Sequence, residues 1–261
     1  MTPASAIATR ASYDGMAAVY DRFTAHHDYE AWTATLEGLA RRHGLRGRRL
    51  LDAGCGTGKS FLPFLRRGYE VTAFDLSPAM AAIAAAKAPG VPVHVHDVAE
   101  VPVLGSFDLV CCLDDCLNHL LEPERLVAAF ARIAANLAPD GLVVFDVNTL
   151  ATYGGFFSAL LVDPSPDEVL VWTGGTGRAP RASTMASATL AAYRRRPEGS
   201  WDRIDVTHRQ RHYTRAEVAA ALGAADLMEL AVYGQGLDGR PEPGLDEQAH
   251  TKAVYLARHA R

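Results

Sequence analysis

The chain has 261 residues, 49% hydrophobic and 21% charged, with a formal net charge of -4 at pH 7; that length buries a sizeable core and suits one large α/β domain with an insertion. The composition excludes a long disordered tract, and the slightly acidic balance makes a small molecule a better expected partner than nucleic acid. MTPASAIATR has no apolar leader-like run and the longest apolar stretch, AMAAIAAAKA, is Ala-rich and carries a lysine, so no membrane partner and a cytoplasmic location are expected.

Residues 31–43 place Trp32, Leu36 and Leu39 at helical spacing ahead of Gly44, which predicts an amphipathic helix with a glycine C-cap. RRLLDAG then reads as a short buried strand, and KSFLPFLRRG as a helix ending on its own glycine. YEVTAFD is a second strand ending on Asp75, followed by SPAMAAIAAAK, where Ser77 is a natural N-cap and Pro78 suits the first helical position. VPVHVHD, FDLVCCLDD and GLVVFDVN supply three more strands, with a helix from about Pro123 to Leu137 between the last two. Strands alternating with helices imply a mostly parallel sheet covered on both faces, with ligand chemistry at the carboxyl ends of the strands.

After residue 150 the pattern changes. DEVLVWTGG, ASATLAAYRRR and DRIDVTHRQRHY are β-rich runs parted by turn residues, predicting an antiparallel insertion that covers the site. TRAEVAAALGAA opens a helix with Thr214 and Glu217 in capping-box register, and MELAVYG and KAVYLARH supply the last strands. The expected organisation is an N-terminal helical cap at 1–45, an α/β core at 46–150, a β-rich cover at 151–213, and 214–261 completing the core.

Cys55, Cys111, Cys112 and Cys116 lie in or beside apolar runs and read as reduced thiols. Cys112, Cys116 and His119 match no usual zinc spacing and lack a fourth ligand, so no metal is expected. The arginine runs RRHGLRGRR and YRRRPEG read as solvated faces.

The stretch LLDAGCGTGKS, residues 50–60, nearly matches two phosphate-binding loops. A P-loop needs glycine five positions before Gly58, where the chain has Ala53, and a dinucleotide loop needs glycine where it has Lys59. Lys59 is then expected as an exposed first-turn residue. What remains is D-A-G-C-G-T-G followed by acidic ends to strands two and three. LLDAGCGTGKS, AFDLSPAM and HVHDV resemble the successive cofactor motifs of class I S-adenosylmethionine-dependent methyltransferases, and the element order resembles their Rossmann-like seven-stranded sheet.

That resemblance implies S-adenosyl-L-methionine as cofactor, with no phosphate to be repelled by an acidic loop. It implies that Gly54 and Gly56 contact the methionine part, that Asp75 accepts from the ribose hydroxyls, and that Met80 packs near adenine. Asp97 and the Val98 N–H would read the adenine edge, Asp52 would orient the loop, Leu113 with Asp114 would line the floor, and Ala53 and Leu76 belong to the same motifs. VYDRFTAHHDYEAW, residues 19–32, is similar to the N-terminal segment of bacterial small-molecule methyltransferases, including amino-sugar N-methyltransferases, which implies that Tyr20, Tyr29 and less directly Trp32 close over the cofactor.

The acceptor is not legible. A nitrogen acceptor needs little base help, whereas a hydroxyl or carbon acid needs its proton removed. His119, in DDCLNHLL just past strand four, is the candidate base, with a helix-start histidine bonded to backbone as the alternative. Asp115, Asn118, Asn148, His208 and Tyr213 are candidate acceptor-binding residues. Base methylation of nucleic acid is disfavoured because LDDCLN stands where a Pro-Pro-aromatic motif would be expected. The expected activity is methyl transfer to N or O of a small molecule, plausibly in bacterial secondary metabolism. A cofactor-binding protein performing another reaction such as cyclisation stays open beside it, as does, more remotely, an NTPase. Oligomeric state has no signature in the sequence.

Overall fold

The computed structural model describes residues 3–260. Two helices come first, α1 (Ala4–Phe23) and α2 (Tyr29–Arg42). The α/β run follows: β1 (Arg49–Ala53), α3 (Phe61–Arg66), β2 (Glu70–Asp75), α4 (Pro78–Lys87), β3 (Val93–Val95), β4 (Phe107–Cys112), α5 (Pro123–Asn136) and β5 (Leu137–Asn148). After α6 (Leu150–Gly154), strands β6 (Leu160–Pro164), β7 (Glu168–Gly174), β8 (Met185–Arg195) and β9 (Trp201–Arg211) form an antiparallel sheet of their own. The chain then returns through α7 (Arg215–Ala224), β10 (Leu227–Gln235), β11 (Pro241–Pro243) and β12 (Lys252–His259).

The central sheet has the order β11-β10-β12-β5-β4-β1-β2-β3. β3, β2, β1, β4 and β5 run parallel, and β12, β10 and β11 are antiparallel additions. From β1 the chain steps outward to β2 and β3, then crosses to β4 on the other side, so the switch in strand order falls between β1 and β4, the position where such sheets open a ligand crevice. One face packs on α5 and α7 through Phe130, Phe145, Leu222 and Tyr255. The other packs on α2 and α3 through Leu36, Leu50, Phe61 and Val254. A third cluster joins α1, Met80 of α4 and the inner face of the antiparallel sheet, including Trp172 and Leu190.

Local signals act as expected where a cap is involved. The Ser77 hydroxyl accepts the Met80 N–H at 3.1 Å with Pro78 following it, and Thr214 and Glu217 form a reciprocal capping box. Four elements depart from the sequence reading. The α1 helix lies inside the helical cap expected at 1–45, but its bounds have no sequence signal, because its alanine-rich face carries no sharp apolar stripe; contact with the cover sheet holds it. The sheet has an eighth strand, where Pro241 and Glu242 pair with β10. A strand β6 joins the cover, with all five residues exposed. The helix expected from Lys59 starts only at Phe61, because residues 57–60 turn through the cofactor loop. No helix among the described residues is long and apolar enough to cross a membrane.

Candidate active site

A cavity opens at the carboxyl ends of β1, β2 and β4 and beneath α1. Its base is the turn after β1. Gly54 and Gly56 have φ of +75° and +53°, a region open to glycine and strained for other residues. A Cβ on Gly54 would lie 2.5 Å from the Cys116 sulfur, so the bare backbone is also what leaves room there. Beneath the turn, Asp52 is buried and accepts the Ser60 hydroxyl, while its Oδ1 has no partner; burial raises its carboxyl to about 7, the Ser60 bond notwithstanding.

Asp75, at the end of β2, spans the next part of the wall. Its Oδ2 accepts the Gly56 N–H and its Oδ1 the Ser77 N–H, each at 2.8 Å. Burial raises it to about 6 against the pull of those two bonds. Each oxygen keeps a lone pair for a further donor. Leu76, Asp97 and Val98 continue the wall. Asp97 is already engaged: it accepts the Ala99 N–H at 2.9 Å and pairs with Arg125 at 2.5 Å. Among the described residues no protein acceptor takes the Val98 N–H. Tyr20 and Tyr29 close the opposite side, the Tyr20 ring standing 3.6 Å from where a Gly56 Cβ would be. A glycine cradle, a free main-chain donor and a carboxylate with open lone pairs fit an adenosine bearing an amino acid. Nothing in this wall resembles a cage for phosphates, and Lys59 is engaged elsewhere. Contrary to the expectation of exposure, Lys59 is half-buried; its Nζ donates to the Thr24 carbonyl and hydroxyl at 2.8 Å each and lies 4.9 Å from the Tyr29 ring centre.

The floor after β4 is an acidic corner. Asp114 and Asp115 both adopt left-handed φ, +60° and +57°, a conformation that costs a non-glycine residue about 1–3 kcal/mol. The buried Asp146 carboxylate accepts both of their N–H groups, at 2.6 and 3.0 Å, and holds the corner in place. Lys252, the first residue of β12, reaches Asp146 at 2.7 Å and Asp114 at 3.1 Å. It arrives there because β12 runs antiparallel to β5, which pairs Lys252 with Asn148 at the site edge. Burial opposes the charged states, but Lys252 and the Tyr29 hydroxyl, bonded at 2.7 Å, hold Asp114 down at about 2. Asp115 is raised to about 7 by burial and its acidic neighbours despite Lys252. Three carboxylates thus share one ammonium next to the cavity, a surplus of negative charge that favours cations.

A second cavity lies between α1, the turn Cys116–His119 and β9, lined by Ser5, Thr9, Glu122, Thr207, His208 and Arg209 among others. Thr9, Tyr13 and His119 line both cavities and form the partition between them. His119 Nε2 lies 2.8 Å from the Tyr13 hydroxyl and 3.2 Å from Gln210 Nε2. Burial, reinforced by His208, lowers His119 to about 3 in spite of a main-chain bond to Arg209. Burial thus favours the neutral form of the ring, which is bonded to the main chain at Arg209. His208 faces the second cavity, with Nε2 buried and unpartnered and burial lowering it to about 4.

Leu113 lines the first cavity next to Asp114, and the remaining sequence candidates lie off both linings. Ala53 is buried in the sheet beneath the loop, and Met80 is buried in the packing between α4, α1 and the cover. Asp115 and Asn148 bond to each other behind the wall, and Asn118 is a fully buried strut between main-chain groups. Tyr213 gives its hydroxyl to the Leu120 carbonyl, and Trp32 gives its Nε1 hydrogen to Gln235 at 2.7 Å. Four residues of the site were missed. Tyr13 sits on α1, whose bounds the sequence left open; Gln210 shares the inward face of β9 with His208, a two-residue spacing that was readable. Lys252 and Arg125 carry no local signal, since only the strand order and the α5 start bring them here.

Known proteins show the same architecture. The model of a methyltransferase domain family matches residues 50–141. A protein of Geobacillus sp. (strain WCH70) that carries a methyltransferase name is 30% identical over 236 residues, covering 88% of this chain and 94% of its own. The dTDP-3-amino-3,6-dideoxy-alpha-D-glucopyranose N,N-dimethyltransferase of Streptomyces fradiae is 34% identical over 119 residues, covering 46% of this chain and 47% of its own. The crystal structure of a S-adenosylmethionine-dependent methyltransferase from Clostridium acetobutylicum ATCC 824 superposes with a TM-score of 0.80 at 20% identity, over 95% of this chain and 99% of that one.

Proposed function

Because this chain belongs to the S-adenosylmethionine-dependent methyltransferases, we propose that it methylates the nitrogen of a small hydroxylated amine held in the second cavity. The observation that carries this reading is the partition: Tyr13 and His119 face the cofactor cavity on one side and a hydroxyl-lined cavity on the other. The acidic corner beside it favours a basic acceptor, and Ser5, Thr9, Glu122 and Arg209 suit a polyhydroxylated body. The Streptomyces fradiae relative, whose name states an amino-sugar acceptor, supports the same class.

In this assignment Gly54 and Gly56 carry the methionine part, Asp75 accepts from both ribose hydroxyls, and the Val98 N–H and Asp97 meet the adenine edge. The cofactor supplies an electrophilic methyl on a sulfonium. Tyr20 and Tyr29 exclude water, and Asp114 complements the positive charge. The protein's contribution is chiefly alignment. The acceptor sheds its ammonium proton to solvent, its nitrogen lone pair forms the new bond to carbon, and the carbon–sulfur pair stays on sulfur. No strong protein base is required, in keeping with a His119 held neutral.

The test is a panel of amino sugars and other hydroxylated amines, each beside the analogue with hydroxyl in place of amine, assayed for S-adenosylhomocysteine and for the mass of the methylated product. Turnover of amines alone is the expected result. Turnover of the hydroxyl analogues alone would refute the nitrogen assignment, and tight cofactor binding with no turnover of any compound would refute transfer to this class.

A further inference from the structure

Behind the partition lies a buried polar network whose donors and acceptors can be arranged in one consistent way. Asp115 Oδ2 accepts from Asn148 Nδ2 at 2.8 Å and from Gln210 Nε2. Gln210 Oε1 accepts from Asn148 Nδ2 at 2.9 Å and from the Tyr153 hydroxyl at 3.2 Å. Turning the Gln210 amide over would set its NH2 against the Asn148 NH2 and, with Asp115 ionised, its oxygen against the carboxylate, replacing two bonds by two repulsions. Gln210 is 2% exposed, so water cannot relieve them. Its amide is therefore locked, and its second hydrogen faces His119 Nε2 at 3.2 Å. That nitrogen must be an acceptor, which puts the imidazole proton on Nδ1. The Tyr13 hydroxyl, 2.8 Å from the same nitrogen, must then donate. Its oxygen is left with free lone pairs where the two cavities meet.

We infer that Gln210 is a positioning residue for methyl transfer: by fixing His119 as the Nδ1–H tautomer, it makes the Tyr13 oxygen a hydrogen-bond acceptor that orients the N–H of the incoming amine. The lone pair of that amine is thereby turned toward the cofactor cavity. The consequence for catalysis rests on the nitrogen-acceptor reading above; the tautomer does not.

The experiment reads the two separately. Long-range proton–nitrogen NMR of the full chain with labelled histidine, loaded with S-adenosylmethionine and without any amine, reports which His119 nitrogen carries hydrogen, the signal being assigned by its loss in His119→Asn. The expected result is Nδ1 protonated and Nε2 bare; an Nε2–H tautomer would overturn the inference, whatever the acceptor proves to be. In Gln210→Met, which keeps the shape and removes the amide, the Nδ1–H form should lose population, the Arg209 main chain alone remaining to favour it. With an amine that turns over, kcat should fall about 100-fold while cofactor Kd changes less than about twofold, the signature of misalignment rather than lost binding. An unchanged tautomer and kcat in a folded Gln210→Met would equally overturn it. Should that variant not fold, the wild-type spectrum decides alone.

Discussion

At the scale of single residues, the site works through carboxylates in very different states. Asp114 is held ionised by Lys252 and Tyr29, whereas burial brings Asp75 to about 6. An ionised Asp75 offers lone pairs to two hydroxyl donors; once protonated it loses one of them. Because its pKa in the fold is raised, the ionised form is present above about pH 6 and lost below it. Cofactor affinity, measured by calorimetry, is expected to weaken as pH falls from 7 to 5. Asp75→Asn should bind about 10- to 100-fold more weakly at pH 7.5, the worth of charge-assisted bonds, and should lose most of that pH dependence. Undiminished binding by Asp75→Asn would remove this residue from the cofactor site.

At the scale of elements, the question is what ties the cover sheet to the core. β9 is an edge strand, and three of its carbonyls are taken by side chains from outside the sheet. Ser12 of α1 donates to Thr207 at 2.6 Å, His119 bonds the Arg209 main chain, and Asn118 Nδ2 donates to Arg211 at 2.8 Å. The two-residue spacing of those carbonyls is the strand's own period, so a helix and a short turn can satisfy an edge that would otherwise invite another strand. Asn118 also accepts the Asn148 N–H at 2.9 Å, which makes it a strut between cover and core. Asn118→Ala leaves the Asn148 N–H unpaired, while the Arg211 carbonyl keeps the Tyr153 hydroxyl at 3.2 Å, and urea unfolding should show a loss of about 1–3 kcal/mol. A loss below 1 kcal/mol in total would mean that the cover is held by apolar packing around Trp172 alone.

At the scale of the whole molecule, buried titratable groups set how stability depends on pH. Burial lowers His119, His208 and His212 to about 3, 4 and 4. Their contribution is fully present above pH 6.5 and is lost as pH falls through those values. Asp52 and Asp115 are raised to about 7, so what they contribute is present below pH 4 and is lost as pH rises through 7. The two sets oppose each other between pH 4 and 7. Asp52→Asn removes one carboxylate while keeping an acceptor for the Ser60 hydroxyl. Relative to wild type, its unfolding free energy should rise by about 3 kcal/mol from pH 5 to pH 8. A pH-independent difference in urea unfolding would show that Asp52 titrates normally.

The sequence by itself determined the strand and helix order of the core, the caps at Ser77 and Thr214, and the cofactor loop. Each of these is local: apolar periodicity, turn glycines and capping side chains act within a few residues, so Gly54, Gly56 and Asp75 could be named from a short stretch. It also placed Asp115 and Asn148 near strand ends and His208 in the cover, without revealing which of them face open space. Only the tertiary structure decided that. Lys252 reaches Asp146 because a strand more than a hundred residues later runs antiparallel to β5, and Tyr13 reaches His119 because α1 lies across the edge of β9. The burial that lowers His119 likewise comes from distant elements, which penalise its charged form and which no local pattern encodes.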